Sequence, residues 1–223
     1  AKSEDNPHLD RDIIEEARRT YTRETFAQEW EALFTAFAGQ VYKEFREEVH
    51  ATDCPYNPEL PLYGAVDFGV TNPFVWLWIQ VTSGDVVRVV DEYTTFNMKT
   101  NETTGADIEE NGKAVLAQHK AMGYGDFEWV VCDRSEPGSI RILKRKFGFP
   151  TVRSRNLVPR GKGQREIPAG IELIRQFLGK VEDPERRPRL FVDRVRCPYT
   201  RLEFNRYRYP EKSEEVDSPE LPM

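Results

Sequence analysis

Leu62-Tyr-Gly-Ala-Val-Asp-Phe68, Phe74-Val-Trp-Leu-Trp-Ile-Gln-Val-Thr82 and Val86-Val-Arg-Val-Val-Asp-Glu-Tyr-Thr-Thr95 follow one another with little between them. β-branched and aromatic residues suit a pleated, half-buried surface, and they dominate all three runs. The runs predict three strands. Ser83-Gly84-Asp85 supplies the small turn residues of a tight hairpin between the second and third. The first run ends on a carboxylate, Asp67, where an apolar strand meets its loop.

Downstream the pattern alternates. Phe127–Cys132 is short and apolar enough for a buried strand, and Pro137 opens a helix through Ile140, Leu143 and Phe147. A strand is expected at Pro150–Arg153, a helix at Ala169–Leu178, a strand at Arg189–Val192 and a helix at Pro198–Tyr207. Upstream, Asp10 or Asp12 can cap a helix through Ile13, Ile14 and Ala17. Thr22 can cap a second, in which Phe26, Trp30, Leu33 and Phe37 recur at helical spacing. Between these helices and the strands, Thr52–Pro61 carries three prolines and reads as a linker. The expected architecture is α/β, a mixed central sheet flanked by helices with a helical N-terminal extension. Residues 1–45 form the helical tail and 46–223 the main domain. That element order is the order of the RNase H-like fold, although the pattern alone fits other α/β folds as well.

Composition narrows the setting. The 223 residues are 39% hydrophobic and 12% aromatic, enough for a sizeable core. The longest apolar run, Pro73–Val81, is too short to span a bilayer, and the N-terminus lacks the apolar core of a signal peptide. Cys54, Cys132 and Cys197 make an odd, scattered set, expected as reduced thiols in a cytoplasm. The net charge is −6, yet residues 134–165 hold ten Lys/Arg against Glu136, a net +9 that leaves −15 for the remainder. A basic stretch inside an acidic chain suits a local phosphate-binding face.

Asp67 closes the first strand and Asp133 closes Trp129-Val-Val-Cys-Asp133. A carboxylate at the end of a buried strand is poorly hydrated and calls for a cation. Mg²⁺ or Mn²⁺, both hard and oxygen-seeking, is the natural partner, and a pair of such ions suits phosphodiester cleavage. The competing reading is that each aspartate caps the turn that follows it. His8, His50 and His119 neighbour no candidate nucleophile and are assigned no chemistry.

Several motifs then point to one family. Leu62-Tyr-Gly-Ala-Val-Asp67-Phe-Gly-Val-Thr-Asn-Pro-Phe74 resembles the strand of phage large terminases that carries their first metal-binding aspartate. Asp133-Arg-Ser-Glu-Pro-Gly-Ser-Ile140 is similar to their second, an aspartate followed three residues later by Glu-Pro. Gly39-Gln-Val-Tyr-Lys-Glu-Phe45 resembles the Gly-x-Val-Tyr-x-x-Phe element that joins the family's ATPase to its nuclease. Phe26-Ala-Gln-Glu29 resembles the helix before it, and Glu203-Phe-x-x-Tyr207 the helix after the sixth strand.

The resemblance implies an RNase H-like endonuclease domain that cuts concatemeric double-stranded viral DNA at the start and end of packaging. It implies Asp67 and Asp133 as catalytic metal ligands for Mg²⁺ or Mn²⁺. The implied partners are duplex DNA, the terminase small subunit, the portal ring and an ATPase domain, in the cytoplasm of an infected bacterium and with no membrane. Glu136 is either a partner behind the metal ligands or the cap of the helix opened by Pro137, and the cap is preferred. No G-x-x-x-x-G-K-[ST] loop occurs, since Lys113, Lys162 and Lys180 all lack the following Ser or Thr. The motor is therefore expected outside this chain, with residues 1 to about 37 as its tail or lid. The family's third carboxylate, in an Asp-His-x-x-Asp-Ala element, is expected beyond Met223, and Asp193 reads as a strand-end residue.

Arg153, Arg155, Arg160, Lys162 and Arg165, with Gly161 and Gly163 among them, form a basic loop fitted to phosphates and not to base readout. Two other functions keep part of this picture. A resolvase, integrase or transposase would share the fold and both aspartates, but the Gly-x-Val-Tyr-x-x-Phe element speaks against it. A catalytically incomplete domain that grips DNA or docks on a portal would need no third carboxylate.

Overall fold

The computed structural model describes residues 39–69, 72–154, 166–179 and 187–209. The two helices expected before Phe37, and Arg155 to Arg165, lie outside the described residues. In chain order the strands are β1 (Gly39–Gln40), β2 (Ala51–Thr52), β3 (Leu62–Asp67), β4 (Val75–Val81), β5 (Val87–Thr94), β6 (Phe96–Asn97), β7 (Glu102–Thr103), β8 (Phe127–Cys132), β9 (Thr151–Arg153), β10 (Leu190–Asp193) and β11 (Arg208–Tyr209). The helices are α1 (Glu47–His50), α2 (Ile108–Ala121), α3 (Pro137–Phe147), α4 (Glu166–Leu178) and α5 (Pro198–Arg206). They group into two units, one of residues 46–155 and 189–203, the other of 1–45, 156–188 and 204–223.

The first unit is built on a seven-stranded sheet in the order β2-β10-β5-β4-β3-β8-β9. β3, β4 and β5 form the expected meander, paired antiparallel. The turn after β4 closes because Thr82 Oγ1 accepts from Gly84 N–H and Val86 N–H, while Asp85 takes the left-handed φ of 55°. Every other pairing is parallel, so β4 alone runs against the rest. Parallel neighbours need crossover connections. α2 supplies one before β8, and α3 another between β8 and β9. The architecture is thus the mixed α/β sheet with flanking helices that the sequence predicts.

One face of the sheet is dry. Leu62 and Val66 of β3, Trp76 and Trp78 of β4, and Val130 and Cys132 of β8 are buried there with Val115 of α2 and Ile140 and Leu143 of α3. Alternation in β3 and β4 explains the choice of residues: every second side chain enters this core, and those between face the other side. α2 starts on a capping box, with Asp107 accepting from Glu110 N–H and Glu110 reaching back to Asp107 N–H. Asp91 and Glu92 break the alternation of β5, because a bulge between Trp78 and Ile79 of β4 makes Asp91 and Val89 successive partners. Both carboxylates are buried.

In the second unit β1 pairs antiparallel with β11, and the pair is bound by aromatic packing. Tyr42 stacks on Tyr207 at 5.8 Å between ring centroids and Phe45 on Phe204 at 4.7 Å. Arg175 of α4 grips Glu44 with Nε and Nη2, the latter at 2.7 Å, and both side chains are almost fully buried. A bidentate pair in a dry place satisfies both charges. Of the segment after Gly39, Val41 and Phe45 are buried, and the half-buried Tyr42 packs against the rings of Phe204 and Tyr207.

Candidate metal centre

Asp67 is the last residue of β3, and the parallel register sets Val66 beside Cys132 of β8. Asp133 follows Cys132 and donates its N–H to Val66 O at 3.4 Å. The fold therefore brings the two aspartates to neighbouring strand ends. Two residues past Asp67, a Cβ at Gly69 would lie 2.0 Å from Asn72 O. Only glycine allows that approach.

Their environments differ. Asp133 accepts from Ser135 N–H at 3.2 Å and from Ser135 Oγ at 2.9 Å. It does cap its own turn, and that contact fixes the orientation of its carboxylate. Among the described residues Asp67 has no hydrogen-bond donor. Crowding by the strand ends, and then the charge of Asp133, push its pKa above the ordinary carboxylate value.

Glu136 occupies the N-cap position of α3, but its side chain makes no capping bond, contrary to the expectation from sequence. Glutamate carries one methylene more than aspartate, a favoured cap, and the backbone here sits at φ −113°, ψ 65°, outside the extended region usual for a cap. Pro137 and the αL residue Gly148 delimit the helix instead.

Of the basic loop, only Arg153 falls within the described residues. It pairs in register with Cys132, a residue of the dry face, so it sits on the side of the sheet opposite to Asp67. Asp193 closes β10 and accepts from Cys54 N–H, Val195 N–H and Arg196 N–H at 3.0, 3.0 and 2.8 Å. It is a satisfied structural aspartate. His119 accepts from Trp78 Nε1 at 3.2 Å and stacks on Phe127, and burial lowers its pKa. The three cysteines are buried free thiols.

Sequence reasoning passed over Glu92 and Tyr199. Register across β3, β4 and β5 puts Ala65, Leu77 and Glu92 level, so Glu92 points to the face that carries Asp67. There it accepts from Tyr199 N–H at 2.6 Å, Thr200 N–H at 2.8 Å and Thr200 Oγ1 at 2.7 Å, pinning the start of α5 to the sheet. Burial still raises its pKa, against those donors. Tyr199 is buried, and burial with the nearby charges of Glu203, Asp67 and Glu92 pushes its hydroxyl up to about 12. The available signal was an acidic pair, Asp91-Glu92, inside an otherwise apolar strand. Among the described residues no group of three or more His, Cys, Asp or Glu gathers as a metal cluster, and no helix is long and apolar enough to cross a membrane.

A meander of three strands extended by parallel crossovers is similar to the RNase H-like fold of phage large-terminase nuclease domains, and here Asp67 ends β3 and Asp133 follows its parallel neighbour β8. The large terminase of a thermophilic bacteriophage superposes with a TM-score of 0.68 and 22% identity, over 95% of this chain and 47% of that one. The P22 large-terminase nuclease domain superposes with a TM-score of 0.52 and 16% identity, over 81% of this chain and 85% of that domain. In sequence, the large terminase subunit of Escherichia phage T5 is 47% identical over 49 residues, 22% of this chain and 11% of the T5 protein. No family model matches the chain. The chain spans about half the length of the thermophilic phage terminase it matches.

Proposed function

We propose that this chain is the nuclease part of a phage large terminase, cutting concatemeric double-stranded DNA when packaging begins and ends. Asp67 carries the reading. It is a strand-end carboxylate with no donor among the described residues, and partial burial, then the charge of a second carboxylate beside it, hold its pKa up. The donor set fits Mg²⁺ or Mn²⁺, which take oxygen ligands and tolerate water in the remaining positions. Asp67 and Asp133 would hold the metal, and Ser135 fixes the orientation of the Asp133 carboxylate. When bound, such ions supply Lewis acidity for hydrolysis of a phosphodiester. The protein's own part is to hold two anionic groups close together. Duplex DNA is the substrate, and the small subunit, the portal ring and an ATPase domain are the partners, all in the cytoplasm of the infected bacterium.

The test is cleavage of duplex DNA by the chain in Mn²⁺, Mg²⁺ or chelator, beside Asp67→Asn and Asp133→Asn. Metal-dependent cutting is expected, with each substitution lowering it by more than about 100-fold. Residues that merely orient metal ligands already cost 10- to 100-fold when changed. DNA binding without cutting, in every metal, would overturn this reading in favour of a domain that only grips DNA.

A further inference from the structure

We propose that the outer face of α3 is a duplex-DNA contact surface, with Arg141, Lys144 and Arg145 taking backbone phosphates of one duplex. The inference rests on the proposed nuclease reading and adds where the substrate lies. Positions three and four apart share one face of a helix, so these three cations form one stripe. All three side chains are exposed. Among the described residues none of them has an ion-pair partner. The contrast with other cations is plain: Lys146 on the same helix is tied to Glu109 of α2, and Arg201 to Glu47 at 2.7 Å. In a chain with 38 acidic and 32 basic residues, cations left unpaired in one stripe are suited to an outside polyanion.

The helix that presents them cannot roll. Leu143 is fully buried and Ile140 nearly so, both in the core of the sheet. Phe147 lies so close to α2 that a Cβ at Gly112 would meet its ring at 2.5 Å. Gly148, at φ 76°, ends the helix cleanly. Spacing suits a duplex as well. From Arg141 to Arg145 the helix rises about 6 Å at about 1.5 Å per residue, close to two phosphate steps of about 3.4 Å along one strand. Arginine and lysine on a rigid helix, outside any groove-reading motif, position the backbone and do not read bases.

The experiment is titration of two unrelated duplexes by the chain in chelator, across a range of salt concentrations, with fluorescence anisotropy as the readout. Arg141→Gln/Lys144→Gln/Arg145→Gln is expected to weaken both duplexes alike. It is also expected to flatten the slope of log affinity against log salt by about 0.9 for each phosphate no longer neutralised. Exposed glutamine is a good helix former, so the fold should hold. Circular dichroism checks this, and single Arg141→Gln is the milder variant, expected to free one phosphate. Arg155→Gln/Arg160→Gln/Lys162→Gln is the comparison: phosphate binding by that loop would lower the slope independently of the helix. An unchanged slope in the folded α3 triple variant overturns the proposal, and so does an unaltered chain that binds neither duplex. Failure of the nuclease reading shows elsewhere, as absence of metal-dependent cutting by a chain whose salt slope is intact.

Discussion

Asp193 and Asp67 close two strands of one sheet, β10 and β3, and the chain treats them in opposite ways. Around Asp193 three backbone amides converge, from Cys54, Val195 and Arg196. Burial alone would raise its pKa, but those amides and the charge of Arg196 win, and it falls below the ordinary value. Asp67 has a like charge for its neighbour and its pKa rises. Asp91 and Glu92 of β5 share with Asp193 the filled oxygens, although burial still raises the pKa of Glu92. Asp91 accepts from Tyr124 Oη at 2.9 Å, and Glu92 holds three donors at the start of α5. A strand-end aspartate whose oxygens are filled by amides is part of the scaffold. One left open beside another carboxylate is, on the proposed reading, a place for a cation.

The largest effect that sharpens this contrast is on stability at Asp193. Asp193→Ala leaves three amides without their acceptor, one of them belonging to the buried Cys54. Unsatisfied buried groups cost about 1–3 kcal/mol each, and part is recovered by water at the exposed edge. A loss of about 3 kcal/mol follows, or roughly 6–12 °C in Tm for a domain of this size. Thermal unfolding of the variant checks it. A Tm within a degree or so of the parent would break the distinction between filled and open aspartates. The pH dependence has a definite sign: with its folded pKa depressed, Asp193 contributes stability above the ordinary carboxylate pKa. That contribution is lost as pH falls through the folded value.

This difference was only partly visible in the sequence. Both aspartates end apolar runs, Val66-Asp67 and Val192-Asp193, and the run alone does not say where the amides will be. The strands themselves were legible, because Trp76, Trp78, Val130 and Val192 sit in patterns that only a buried sheet absorbs. Adjacency of Asp67 and Asp133 followed once β8 was placed parallel to β3. Glu92 escaped because its role depends on a bulge opposite β4 and on α5 arriving from more than a hundred residues away, which no local pattern encodes. Glu136 misled for a local reason: a carboxylate before Pro137 has the sequence of a cap, but its side chain does not make the bond.

A middle-sized effect is expected at Glu92. Glu92→Gln keeps the shape and one acceptor oxygen, so α5 stays docked but loses the charge-assisted bonds to Tyr199, Thr200 and the Thr200 hydroxyl. Caps of this kind contribute about 1 kcal/mol, which is roughly 2–4 °C here. Native-state hydrogen exchange at Tyr199 and Thr200 is the sharper measurement, since faster exchange should be confined to the first turn of α5. Unfolding of the whole domain would mean that Glu92 supports the sheet and not one helix end.

The smallest effect is the one that separates the two aspartates most cleanly, because its sign reverses. With the pKa of Asp67 raised in the fold, its charged form costs stability at neutral pH, and the cost fades as pH drops through the folded value toward the ordinary one. Asp67→Asn removes the charge and the repulsion from Asp133. The variant should therefore melt slightly above the parent near neutral pH, and the two should converge in acid, below the ordinary carboxylate pKa. Sites shaped for function commonly show such a gain when their strain is relieved. Mn²⁺ should then invert the order, since a ligand that binds the folded parent raises its Tm in proportion to occupancy and has less to hold in the variant. Melting curves at several pH values, with and without Mn²⁺, measure both arms. If Asp67→Asn melts below the parent at neutral pH without metal, Asp67 is scaffold like Asp193, and the open carboxylate loses its meaning as a cation site.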